Sequence, residues 1–135
     1  MSTGYSGTPL PRKLGVKPGQ RVTFLDAPPE FATALGELPE GVAPRTAARG
    51  PLDLVVAFFR ERRRLERRLP ALVGALDPAG ALWIAWPKRS SGVATDLTED
   101  VVRELGLAAG VVDVKVCAID ATWSGLKLVI RLRDR

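Results

Sequence analysis

Apolar and polar positions fall in separate blocks along this chain, and each block has its own punctuation. Arg21-Val-Thr-Phe-Leu-Asp26 is a short apolar run entered through Lys17-Pro18-Gly19 and stopped by Pro28-Pro29, which predicts a first strand over 21–26. From Glu30 to Leu38, Phe31, Leu35 and Leu38 recur at spacings of four and three, one apolar face of a short helix closed by Pro39. Residues 39–51 hold three prolines and two glycines with little periodicity, so they read as a connection crossing the surface. Leu52-Asp-Leu-Val-Val-Ala-Phe-Phe59 is apolar almost throughout, the pattern of a second strand covered on both faces.

Beyond Phe59, Leu65, Leu69, Leu72, Val73 and Leu76 return at threes and fours while arginines take the opposite face. A helix is expected there until Asp77-Pro78-Ala79-Gly80 breaks it, with a kink or restart at Pro70, which brings no N–H to the ladder. Ala81–Trp86 predicts a third strand ended by Pro87, with Trp83 and Trp86 on opposite faces. Thr98 suits an N-cap, Glu99 and Asp100 suit the positive end of the helix dipole, and Gly106 suits the C′ position of a helix of about two turns. Val111–Ile119 and Leu126–Leu132 read as two more strands. Their connection, Asp120–Gly125, is too short for a parallel crossover, so they form an antiparallel hairpin. The order β-α-β-α-β-α-β-β calls for an α/β, three-layer architecture: a mainly parallel five-stranded sheet between helices, its C-terminal strand antiparallel. Residues 1–135 are expected to form a single domain, with 1–20 as an N-terminal arm and lead-in.

Composition narrows the chemistry. The 135 residues include no histidine and one cysteine, Cys117, so there is no set of soft ligands for a metal and no Ser-His-Asp or Cys-His nucleophile. No metal and no cofactor is expected, and a disulfide within the chain is impossible. The opening MSTGYSGTPLPRKLG lacks a signal-peptide core, and no stretch approaches the roughly 18 to 20 apolar residues of a membrane span, so a cytoplasmic location is expected and no membrane partner. The net charge of +5 is local: Arg12, Lys13, Lys17 and Arg21 meet no acid over residues 1–21, and residues 60–68 carry six arginines against Glu61 and Glu66. Such clusters attract phosphates, although 15 of the 20 basic residues are arginine, which is also what a taste for arginine surface networks gives.

Several stretches in order resemble the Rossmann-like fold of S-adenosylmethionine-dependent methyltransferases. Leu14-Gly-Val-Lys-Pro-Gly-Gln-Arg-Val22 resembles the lead into that family's first strand, Pro51–Ala57 its central strand, and Leu69–Ile84 its helix, Pro-Gly turn and next strand; the hairpin at 111–132 matches its reversed last strand. The resemblance implies the strand order 1-2-3-5-4. In the family the first strand runs into a Gly-rich loop against the cofactor, and an acid ending the next strand takes the ribose hydroxyls. Here that loop is Asp26-Ala-Pro-Pro-Glu30, without glycine, and 39–51 is too short for the strand-helix units the family places there. The resemblance thus implies a pared-down, degenerate relative rather than a methyltransferase. Trp86-Pro-Lys88, Ser91–Thr98 and Thr122–Lys127 also resemble stretches of a group of small bacterial proteins of unknown function.

In open parallel sheets ligands sit beyond the carboxyl ends of the strands. That rule selects Asp26, Phe59 and Arg60, the loop Lys88, Arg89, Ser90, Ser91 and Gly92, and Asp120 to Trp123 as a groove for a small anion or a protein partner. The plain alternative is a solvated loop at Lys88-Arg89 and an Asp120 that only caps its turn. An enzyme on a phosphorylated or carboxylated substrate would use Lys88 as electrophile and Asp120 as base. Trp123, placed in the turn, is either a ligand contact or a loop anchor. The basic surface of Arg60, Arg63, Arg64 and Arg67 is either a solvated face, with Glu61 pairing Arg64 and Glu66 pairing Arg62, or a site for nucleic acid or an acidic protein. Ser2 to Pro11 reads as an irregular arm in which Tyr5–Thr8 closes over the site or packs on a second subunit of a homodimer.

Overall fold

The computed structural model describes residues 7–135. Five strands, β1 (Val22–Leu25), β2 (Leu52–Phe58), β3 (Leu76–Pro87), β4 (Val111–Ala118) and β5 (Trp123–Ile130), form one sheet in the order β1-β2-β3-β5-β4. β1, β2 and β3 run parallel, and β5 is antiparallel to both β3 and β4. Four helices flank it: α1 (Leu10–Leu14), α2 (Pro29–Leu35), α3 (Arg62–Gly74) and α4 (Glu99–Ala108). This is the α/β sheet and the strand order that the sequence implied.

Alternation along the central strands divides the core in two. Leu82, Ile84 and Trp86 join Leu65, Leu69 and Leu72 of α3 and Val102 of α4 on one face. Trp83 and Ala85 join Leu10 and Leu14 of α1 and Phe31 and Leu35 of α2 on the other. Trp83 is 0% exposed, and its indole N–H donates to the Leu14 carbonyl at 2.9 Å, which ties α1 to the sheet. A helix as short as α1 does not hold itself in water, so this burial and this bond are what keep it.

Several boundaries differ from the sequence expectation for local physical reasons. Leu10 belongs to α1 rather than to an irregular arm, with Pro9 as N-cap; Ser2–Ser6 lie outside the described residues. α2 stops at Leu35 because Gly36 turns the chain at φ 69, so Leu38 packs from the following loop. α3 begins at Arg62, not Arg60, and runs without interruption through Pro70. Pro70 sits on the exposed side, where water can meet the carbonyl that loses its donor. The helix ends at Gly74, and Leu76 pairs with Leu52, so Asp77–Gly80 falls within β3 as an unpaired bulge between Leu76 and Ala81, with Ala79 N–H donating to the Asp77 carboxylate at 2.9 Å. Gly50 permits this: a Cβ there would stand 2.3 Å from the Ala75 carbonyl oxygen.

Gly106 is not the helix stop. It lies inside α4, where a Cβ would meet Leu128 Cδ2 at 3.0 Å and Val111 Cγ2 at 3.4 Å, and the left-handed turn falls at Gly110 instead. Both sheet edges are blunted. Residues 45–47 of the long connection lie along β1, with Phe24 N–H donating to Arg45 O and Thr23 Oγ1 to Ala47 O. The free edge of β4 bulges at Val114, between Asp113 and Lys115, a device that discourages further strand pairing. Near the start of β1 and β2, the Arg21 guanidinium hydrogen-bonds the Asp53 carboxylate and holds that carboxyl below its ordinary value.

Candidate functional site at the carboxyl edge of the sheet

The parallel strands end along one edge, and most of the sequence-selected residues stand there in spatial order: Asp26 after β1, Arg60 after β2, Lys88 to Gly92 after β3, and Asp120 after β4. They do not form one groove. Two separate cavities share them.

The first cavity, about 550 Å³, is lined by Lys88, Arg89 and Gly92 together with Thr95, Thr98 and Glu99 at the start of α4, and Ser124. Arg89–Ser91 is a single 3-10 turn closed by Gly92 at φ 76, and the Ser91 hydroxyl donates to the Lys88 carbonyl at 2.6 Å. Ser91 is thereby committed to shaping its own turn. Thr98 accepts from Val101 N–H at 3.2 Å, so the expected N-cap is present. Neither Lys88 nor Arg89 pairs with a carboxylate among the described residues. The Glu99 carboxylate is occupied by Arg103.

The second cavity, about 440 Å³, lies between the ends of β1 and β2 and is lined by Asp26, Pro28, Pro29, Phe58, Arg60, Arg64 and Trp123, among others. Arg64 bonds Asp26 at 2.9 Å across it, so Arg64 is not the partner of Glu61 that helical spacing suggested; the Arg62–Glu66 pair does form, at 3.0 Å. Trp123 is not in the turn. It opens β5, is 7% exposed and stacks edge-on against Phe58, 5.1 Å between ring centroids. Its buried indole N–H has no hydrogen-bond partner among the described residues. The aromatic row Phe24, Phe31, Phe58 and Trp123 therefore explains Trp123 first as core.

Asp120 lines neither cavity. One of its carboxylate oxygens accepts from both Thr122 N–H and Trp123 N–H at 2.8 Å and caps the hairpin turn, while the other is buried without a partner among the described residues. Lys88 meets this hairpin through its backbone, donating its N–H to the Thr122 carbonyl at 2.7 Å. Arg63 and Arg67 are exposed on the outer side of α3.

The β1–α2 turn does not fit the adenosyl cofactor. Asp26 takes the positive φ of 56° that a glycine would hold more easily, and Pro28 and Pro29 occupy the N-cap and first helical positions, so neither offers an N–H to an anion. No strand with an acid at its end follows α2, because the chain runs along β1 and enters β2 directly.

Neither a protein-family model nor a curated protein sequence matches the chain. Solved structures do. A magnesium protoporphyrin IX methyltransferase from Synechocystis with bound SAM is 13% identical, with a TM-score of 0.58 over 90% of this chain and 74% of that one. A SAM-dependent methyltransferase from Aquifex aeolicus is 14% identical, with a TM-score of 0.57 over 89% and 87%. A putative methyltransferase from Thermoplasma acidophilum is 9% identical, with a TM-score of 0.59 over 98% and 77%. At these identities the likeness is one of fold: the chain has a methyltransferase-like Rossmann core.

Proposed function

We propose that this chain is a cytoplasmic, non-catalytic binding domain on a degenerate methyltransferase-like core, and that the groove at the end of β3 accepts a small anion. The observation that carries this reading is the placement of Lys88 and Arg89, two cations without carboxylate partners among the described residues, in one cavity with the first turn of α4. The first N–H groups of a helix lack intrahelical partners and carry partial positive charge, so they add to the two side chains. A binding role is favoured over catalysis because Asp120, the base an enzyme would need beside Lys88, spends one oxygen on its turn and lies outside that cavity. The β1–α2 turn described above supports the loss of the adenosyl site.

Thermal unfolding with inorganic pyrophosphate, and separately with S-adenosylmethionine, tests the reading. Pyrophosphate at about a hundred times its dissociation constant should stabilise by about 2.7 kcal/mol, a shift of several degrees. The double variant Lys88→Gln, Arg89→Gln should lose that shift and keep its unliganded midpoint. Stabilisation by S-adenosylmethionine, or a pyrophosphate shift untouched by the double variant, would overturn it.

A further inference from the structure

The two faces of the sheet are not equally covered. On one face α3 packs on β3, and α4 packs on β4 and β5. On the other, the core joins α1 and α2 mainly to the β1–β3 half. Over the β4–β5 half of that second face lie lysine side chains. Lys115 and Lys127 are direct register partners across β4 and β5, and Lys127 is also the register partner of Trp83, which belongs to the α1–α2 core. The Lys115 ammonium stands 6.0 Å from the Trp83 ring centroid. Lys13 of α1 reaches the end of β4 and donates to the Ala118 carbonyl at 3.0 Å. A Cβ on Gly15 would lie 3.8 Å from Lys127 Nζ, which places the segment carrying Lys17 beside it.

Like charges placed directly opposite on paired strands destabilise a sheet. Here the pair is joined by two more ammonium groups, and none of the four has a carboxylate partner among the described residues. The undescribed residues 1–6 contain no acid that could supply one. The crowding registers on Lys127: burial, then the charges of Lys115 and Lys17, push its ammonium below the ordinary lysine value. Lysine stems covering an apolar sheet account for part of this arrangement. They do not account for four ammonium groups gathered in one place without an ion-pair partner among the described residues.

We propose that this face, built by Lys13, Lys17, Lys115 and Lys127, is a docking surface for the phosphate backbone of a nucleic-acid strand. The partner must be a polyanion, since a single charge would leave the other ammonium groups facing one another. An extended partner fits better than a small one, because neither Lys115 nor Lys127 lines any of the cavities described above. The three residue steps of strand from Lys115 to the Lys13 contact at Ala118 span about 10 Å, room for more than one phosphate of a chain. A protein partner would want a large apolar anchor, whereas Trp83 beneath the lysines is wholly buried. With no exposed ring here to stack on bases, recognition rests on phosphates and carries little sequence preference.

Fluorescence anisotropy with a labelled single-stranded RNA of about a dozen nucleotides, titrated at several salt concentrations, is the test. Four phosphate contacts predict a slope of log affinity against log salt of about −3. Lys17 and Lys115 are exposed, so Lys17→Gln with Lys115→Gln should leave the fold intact, weaken binding severalfold and flatten the slope by about 1.4. Arg63→Gln with Arg67→Gln on α3 should change neither. Absence of binding at low salt, binding indifferent to the lysine pair, or equal loss with the α3 pair would each overturn the proposal. So would tripolyphosphate or a polyglutamate peptide that competes as well as RNA at equal charge.

Discussion

Two basic regions of this molecule contrast. Residues 60–68 hold six arginines in nine positions and dominate any reading of the sequence. Folded, that density is diluted: Arg62 bonds Glu66, Arg64 bonds Asp26, Arg60 turns into a cavity, and Arg63 and Arg67 point to solvent. The lysine face has no local density at all, since its members stand at positions 13, 17, 115 and 127. The backbone gathers them, and no carboxylate forms an ion pair with any of them among the described residues. Arginines make every ion pair among the described residues, and none of the five lysines makes one. Charge in a fold is thus decided by what the register places opposite, more than by what neighbours it in the chain.

The largest test of this contrast loosens the well-covered face. Gly106 lets α4 lie close against Leu128, where even a Cβ would stand 3.0 Å from Cδ2, so the two further methyls of Gly106→Val should push the helix outward and destabilise by about 2 to 3 kcal/mol. Urea unfolding measures it. RNA affinity per folded molecule should not change, because the lysines are on the opposite face. A loss of stability with a parallel loss of binding would show that the two faces are not independent.

A smaller effect is expected from the other side. Trp83→Phe keeps an aromatic ring in the core but removes the donor that holds the Leu14 carbonyl, leaving a buried acceptor at a cost of about 1 to 3 kcal/mol. Because that bond docks α1, amide exchange at Lys13 to Val16 should quicken more than at α3 or α4. Lys13 and Lys17 would then sit less firmly, and RNA binding should weaken without any change in charge. Unaltered exchange in α1 would mean that Leu10 and Leu14 dock the helix by packing alone.

What the sequence made legible follows the same division. The antiparallel hairpin and the opposite faces of Trp83 and Trp86 rest on short-range rules of alternation and connection length, whereas the strand order was what the methyltransferase resemblance implied. Those rules hold where burial is strong. They failed where tertiary contacts override local pattern: Gly106 looked like a stop and is a packing notch, and Trp123 looked like a loop aromatic and joins the core. Of the candidate site, the placement of the Lys88–Gly92 loop beyond the end of β3 was readable from topology. That Asp26 and Trp123 would line a different cavity from Lys88, and that Asp120 would line neither, depended on side-chain directions no local pattern carries. The lysine face was invisible for a plainer reason: its key pair, Lys115 and Lys127, requires the register of β4 on β5, and the bulge at Val114 shifts that register by one residue.

Cys117 offers the smallest effect and a direct probe of that face. Its thiol is pushed above the ordinary value by burial, while the charges of Lys13 and Lys115 pull it back down. Near pH 8, below an ordinary thiol value of about 8.5, only the minor thiolate fraction reacts with iodoacetamide. Lys115→Gln removes one of the two charges that favour the thiolate, so the thiol rises further and alkylation should slow by a factor of about two to five at fixed pH. Added salt should slow the parent protein in the same direction by screening the lysines, and should slow the variant less. Arg63→Gln, on the distant helix, should leave the rate alone. If Lys115→Gln speeds alkylation instead, the lysine was shielding the sulfur rather than stabilising its anion, and the positive potential that the docking surface requires does not extend over Cys117.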